Sequence, residues 1–77
     1  MRDELIEILE EIRSDVDFEN EENLITDGIL DSIDVVSLVG EIDEAFDVQI
    51  HVEDLIPDNF NSVDAIIALI EKIQDED

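Results

Sequence analysis

One serine in this chain stands where its hydroxyl is open to chemistry. Ser32 lies in the run Asp27-Gly28-Ile29-Leu30-Asp31-Ser32-Ile33-Asp34, between a loop and the start of an apolar helix. The residues that follow, Val35, Val36, Leu38, Val39, Ile42 and Phe46, recur every three or four positions, so Ser32 falls in the first turn of that helix. A first-turn hydroxyl is open to another protein, and the first-turn amides together with the positive end of the helix dipole favour a phosphate placed there. Taken alone, Asp31 and Ser32 also suit an ordinary helix cap, since Ser and Asp are among the commonest cap residues.

Two other chemistries compete for the same residues. Serine hydrolysis needs a base and an orienting acid near the nucleophile. The sole histidine, His51, is the one base on offer, no Gly-x-Ser-x-Gly elbow surrounds Ser32, and 77 residues leave little room for a substrate pocket. No catalytic residue is therefore assigned. Calcium binding in a loop needs acidic residues at alternating positions, a central glycine and a closing glutamate. Asn20, Glu21, Glu22, Asn23 and Asp27 lack that spacing, and Gly28 follows the cluster instead of dividing it, so no dedicated metal site is assigned either.

The elements that must position Ser32 follow from periodicity. A first helix is expected at about 2–15, with Leu5, Ile8, Leu9, Ile12 and Val16 in one stripe and Arg13 in its last turn, where a cation suits the dipole. From about residue 16 to 31 the period is lost, and a long loop anchored by Phe18, Leu24, Ile25, Ile29 and Leu30 delivers Ser32. A second helix spans about 32–46, capped by Asp31 and containing Gly40, which is either a tolerated glycine or a point of close approach by a partner. The segment 47–52 alternates like a strand but has no second strand to pair with, so Val48, Ile50 and Val52 are expected to plug the core from an extended linker. A short helix is expected within 53–60, interrupted or started by Pro57, and a last helix over about 62–74, opened by Asn61 or Ser62 with Asn61 and Asp64 as a capping pair. Residues 75–77 are expected to fray. The expected fold is all-α: a single domain over 1–77, a small four-helix bundle of three main helices plus a short third, with a long loop between helices one and two.

Composition bounds the partners. Thirteen Ile, seven Leu and seven Val supply a core without cysteine, each contributing roughly 1.5–3 kcal/mol when fully buried. Against Arg2, Arg13 and Lys72 stand 25 acidic residues, a formal net charge of -22. Such a sequence has almost no cations to offer a polyanion, which excludes nucleic acid. An anionic membrane surface repels it, and no apolar run approaches a membrane span. Basic patches on other proteins are the expected partners, and self-repulsion favours a monomer. With no signal-peptide pattern, the expected compartment is the cytoplasm.

In the run 27–50, DGILDSIDVVSLVGEIDEAFDVQI, the sequence resembles acyl and peptidyl carrier proteins, whose signature is Asp-Ser-(Leu/Ile) at a helix start, an apolar helix, then Glu-x-x-Phe-x-(hydrophobic)-x-(hydrophobic); the last part reads Asp43-Glu44-Ala45-Phe46-Asp47-Val48-Gln49-Ile50 in this chain. Size, acidity, the long loop before the serine and a last helix beginning near 61–62 match as well. The resemblance implies 4'-phosphopantetheine, transferred from coenzyme A to Ser32 by a phosphopantetheinyl transferase, with Asp31, Ile33 and Asp34 completing the motif. It implies a non-catalytic carrier that holds acyl or aminoacyl groups as thioesters and presents them to loading and transferring enzymes with basic docking patches. Val35, Ser37, Glu41, Asp43 and Glu44 are then the partner-facing positions. Ser37 stands where fatty-acid-synthesis carriers commonly have glutamate, and the Asp-Gly-x-Leu-Asp-Ser form looks closer to D-alanyl carriers and to free-standing carriers of peptide or polyketide pathways. The alternative from another class is an acidic helical adaptor that binds basic proteins without modification.

Overall fold

Apolar residues spaced three and four apart set the helices. The computed structural model describes residues 1–76. Four α-helices run in the order α1 (Arg2–Ile12), α2 (Ser32–Phe46), α3 (Pro57–Phe60) and α4 (Val63–Glu76), with a single 3₁₀ turn at Val52–Asp54 before α3. There is no strand among the described residues, so the chain is a small all-helical bundle. Helix α1 packs on α2 and α4, and α3 packs on α4. Between them lies one core, to which α1 contributes Leu5, Ile8 and Leu9, α2 contributes Leu38 and Ile42, and α4 contributes Val63, Ile66, Leu69, Ile70 and Ile73. The loop adds Phe18, Leu24 and Leu30, which are almost fully buried, so it is a packed part of the fold.

Several local expectations are corrected. Helix α1 ends at Ile12, three residues short of the expected 15, because Arg13 adopts an extended backbone (φ -140°) and Ser14 and Asp15 do not carry the helix on. Arg13 is therefore the capping residue, and Val16 packs on the core from the loop. Val48 and Ile50 are buried as expected, but Val52 is 87% exposed. The 3₁₀ turn begins at Val52, so the period-two alternation that would have turned it inward stops at Ile50. Helix α4 is opened by Ser62, whose hydroxyl accepts from the Ala65 amide at 3.1 Å; Asn61 and Asp64 are not its capping pair. Asp64 instead pairs with Arg2 across the N-terminal ends of α4 and α1. Helix α4 also extends through Asp75 and Glu76, against the expected fraying, while Asp77 lies outside the described residues.

Candidate attachment site

The site begins with the two turns that aim Ser32. Gly28 has φ +73°, a conformation that costs glycine little and L residues more, and a side chain there would meet no neighbour. Its need for glycine is conformational. The turn is closed by the Gly28 amide donating to Ile25 O and the Leu30 amide to Leu24 O, and Leu30 is buried as the last anchor before the helix. Asp31 then takes an extended conformation and caps α2: its Oδ1 accepts from the Asp34 amide at 2.8 Å, while Asp34 Oδ2 accepts from the Asp31 amide at 3.3 Å. This reciprocal capping box fixes the helix start at Ser32.

Ser32 is the first residue of α2 and is exposed. The capping box uses the amides of Asp31 and Asp34, and the Val35 amide bonds Asp31 O. The amides of Ser32 and Ile33 have no protein acceptor among the described residues, and both lie at the positive end of a 15-residue helix. The Ser32 hydroxyl is open to solvent, and the helix's positive end favours a phosphate on it, opposed by the neighbouring Asp31 and Asp34 carboxylates. Ser32 also borders an apolar cleft of about 320 Å³ lined by Ile25, Leu30, Val35, Leu55, Ile56 and Phe60 among others. His51 is exposed and does not line that cleft.

The sequence-derived partner positions divide. Ser37, Glu41 and Glu44 are exposed on α2. Val35 is half-buried, packs on the core and forms a wall of the cleft. Asp43 is half-buried, with its carboxylate accepting from the Ile50 amide at 3.1 Å, so it anchors the linker after α2. Ile33, named for the motif, is 75% exposed. Val36, which periodicity groups with the buried stripe, is 67% exposed beside it. Six apolar residues among positions 33–42 cover too wide an arc for one buried face, and that width is the signal the sequence carries. Leu55, Ile56 and Phe60 of the cleft have no such signal, because only the path after the 3₁₀ turn brings them opposite α2.

Comparison with known proteins agrees with this geometry. The chain matches the model of the phosphopantetheine attachment site family over residues 2–70. It is 35% identical over 65 residues to a D-alanyl carrier protein of Streptococcus sanguinis (strain SK36), covering 83% of this chain and 82% of that protein. It is 33% identical over 75 residues to a D-alanyl carrier protein of Bacillus cereus (strain B4264), covering 95% of each. The site's capped serine, its neighbouring amides and the match over nearly the whole chain lead to one assignment: the chain belongs to the phosphopantetheine attachment site family, whose members are non-catalytic carriers bearing covalent 4'-phosphopantetheine placed by a phosphopantetheinyl transferase.

Proposed function

We propose that Ser32 is the attachment residue and that the protein is a free-standing carrier of an aminoacyl group, with D-alanyl the first cargo to test. The observation that carries the reading is Ser32 itself, an exposed hydroxyl at the first position of a capped helix, where the amides of Ser32 and Ile33 have no protein acceptor among the described residues. The bound prosthetic group supplies the thiol that this cysteine-free protein lacks, and with it thioester chemistry. The protein's own residues do the rest. Asp31 and Asp34 hold the helix start, Ser32 and Ile33 offer amides to the phosphate, and the exposed Ser37, Glu41 and Glu44 face partner enzymes through basic patches. Ile33 and Val36 add an apolar margin to that face. The relatives named as D-alanyl carriers and the Asp-Gly-x-Leu-Asp-Ser motif support D-alanyl over a longer acyl unit. Coenzyme A as the donor supports a cytoplasmic modification, and the net charge of -22 favours a monomer.

Incubation with coenzyme A and a permissive phosphopantetheinyl transferase is expected to add one phosphopantetheine to the intact protein and none to Ser32→Ala. Because Ser32 is exposed, the variant is expected to keep its helix content and melting temperature. An unmodified wild type, or a modified Ser32→Ala, rejects the assignment. Cargo is then read by giving the modified protein ATP, D-alanine and a D-alanine-adenylating enzyme, in parallel with fatty acids and an acyl-activating enzyme. Loading by the fatty acid alone would reject the aminoacyl reading.

A further inference from the structure

One cation holds both sides of the seam at which Ser32 is displayed. Arg13, the capping residue of α1, crosses to the far end of the loop and donates from Nη1 to the Ile29 carbonyl at 3.0 Å, a contact between residues sixteen positions apart. The same Nη1 lies 3.7 Å from Asp34 Oδ2, and Nε lies 3.6 Å from Asp15 Oδ1. Asp34 Oδ2 is also the acceptor of the Asp31 amide, so a continuous path runs from the end of α1 through Arg13 and Asp34 to the residue before Ser32. The Asp34 side chain is 19% exposed and that of Arg13 40%, so solvent screens the pair from the guanidinium's side and only partly from the carboxylate's. Arg13 is one of three cations among 25 acidic residues, and its planar guanidinium fork places Nη1 against the Ile29 carbonyl and the Asp34 carboxylate and Nε near Asp15.

Resting on the reading of Ser32 as the attachment point, we propose that Arg13 is a positioning residue for phosphopantetheine transfer. It ties residues 29–31 and the first turn of α2 to the end of α1, and so holds the Ser32 hydroxyl in the orientation the transferase meets. The Asp31–Asp34 capping box starts the helix but makes no bond to α1; Arg13 makes that bond. Without it the presenting arrangement is one of several, and the apparent affinity of the transferase for the carrier falls by the fraction lost while the chemical step is unchanged.

The test compares wild type, Arg13→Gln and Arg13→Lys as full-length proteins, with coenzyme A and a phosphopantetheinyl transferase. Arg13→Gln is expected to raise KM for the carrier about ten-fold, the loss of one hydrogen bond from a charged donor, with kcat within about two-fold. Arg13→Lys keeps the charge without the fork and is expected to fall between. Amide exchange in the unmodified protein is expected to quicken at Leu30, Asp31 and Asp34 in Arg13→Gln while the amides of α4 keep their protection. If Arg13→Gln fails to fold, Arg13→Lys carries both measurements. A modified wild type with KM unmoved in the variants overturns the role of Arg13 alone, as does full rescue by lysine, which would reduce Arg13 to its charge. A wild type that accepts no phosphopantetheine overturns the attachment reading with it, and the exchange comparison still decides whether Arg13 holds the seam.

Discussion

Asn61 ties the loop before Ser32 to the junction that precedes α4. Its position just before α4 invites a cap, yet its carbonyl oxygen accepts from the amides of Ile25 at 2.9 Å and Thr26 at 3.0 Å, and its amide nitrogen donates to the Thr26 hydroxyl at 3.0 Å. Its backbone carbonyl takes the Leu24 amide. Asn61 thereby staples the middle of the loop to the α3–α4 junction, and with it the Ile25 and Phe60 walls of the cleft. Asn61→Ala leaves two loop amides without their acceptor. The expected loss is about 1–3 kcal/mol, a fall in melting temperature of roughly 4–8 °C for each kcal/mol, read by thermal denaturation. A melting temperature within a degree of wild type would show that water replaces the staple at no loss. Ser32 and Asp31, by contrast, are legible from local chemistry, because a cap and the helix it opens lie within four residues of each other.

At the scale of elements, α2 is where the sequence pattern and the fold agree best, from Ser32 to Phe46. Its one irregular position is Gly40, which is exposed and around which an added Cβ would meet nothing. Gly40→Ala is therefore expected to stabilise the protein by up to about 1 kcal/mol, by removing the glycine entropy penalty from a helix interior. The same variant separates the two readings of Gly40. Unchanged kinetics with the transferase and the loading enzyme would make it a tolerated glycine, whereas a raised KM beside a raised melting temperature would mark close approach by a partner. Asp47, the residue that caps the end of α2, lies in the left-handed region (φ 53°), which turns the chain so that Val48 and Ile50 reach the core. The end of α1 is less legible, since the apolar stripe continues to Val16 although the helix does not.

For the whole molecule, charge and burial oppose each other. The Cα radius of gyration is 11.3 Å, close to the roughly 11.5 Å that chain length alone implies for a compact domain. Twenty-five acidic residues share that small surface with three cations. Two of the cations sit at junctions: Arg2 joins α1 to α4, and Arg13 joins α1 to the loop and α2. Screening by salt relieves the remaining repulsion. Raising ionic strength from about 0.01 M to 0.15 M shortens the Debye length from about 30 to 8 Å and is expected to raise stability by roughly 1 kcal/mol, or about 4–8 °C in melting temperature. An unchanged melting temperature across that range would mean that repulsion does not limit this fold. The same charge is expected to make transferase association slower as salt rises, by weakening attraction to basic patches.

The sequence by itself determined the helical class, the length of α2, the capping aspartate, the serine at its mouth and the strongly acidic balance of charge. Each rests on a period of three to four residues, on a cap within one turn, or on a sum over composition. Only the tertiary structure decided that Arg13 leaves its helix to hold Ile29 and Asp34, that Asn61 bonds the loop, that Asp43 anchors the linker and that Val36 faces outward. The first two are contacts across sixteen to thirty-six positions, created when the loop folds back on the bundle. Local periodicity carries no information about which polar side chain such a fold brings opposite which free amide or carbonyl.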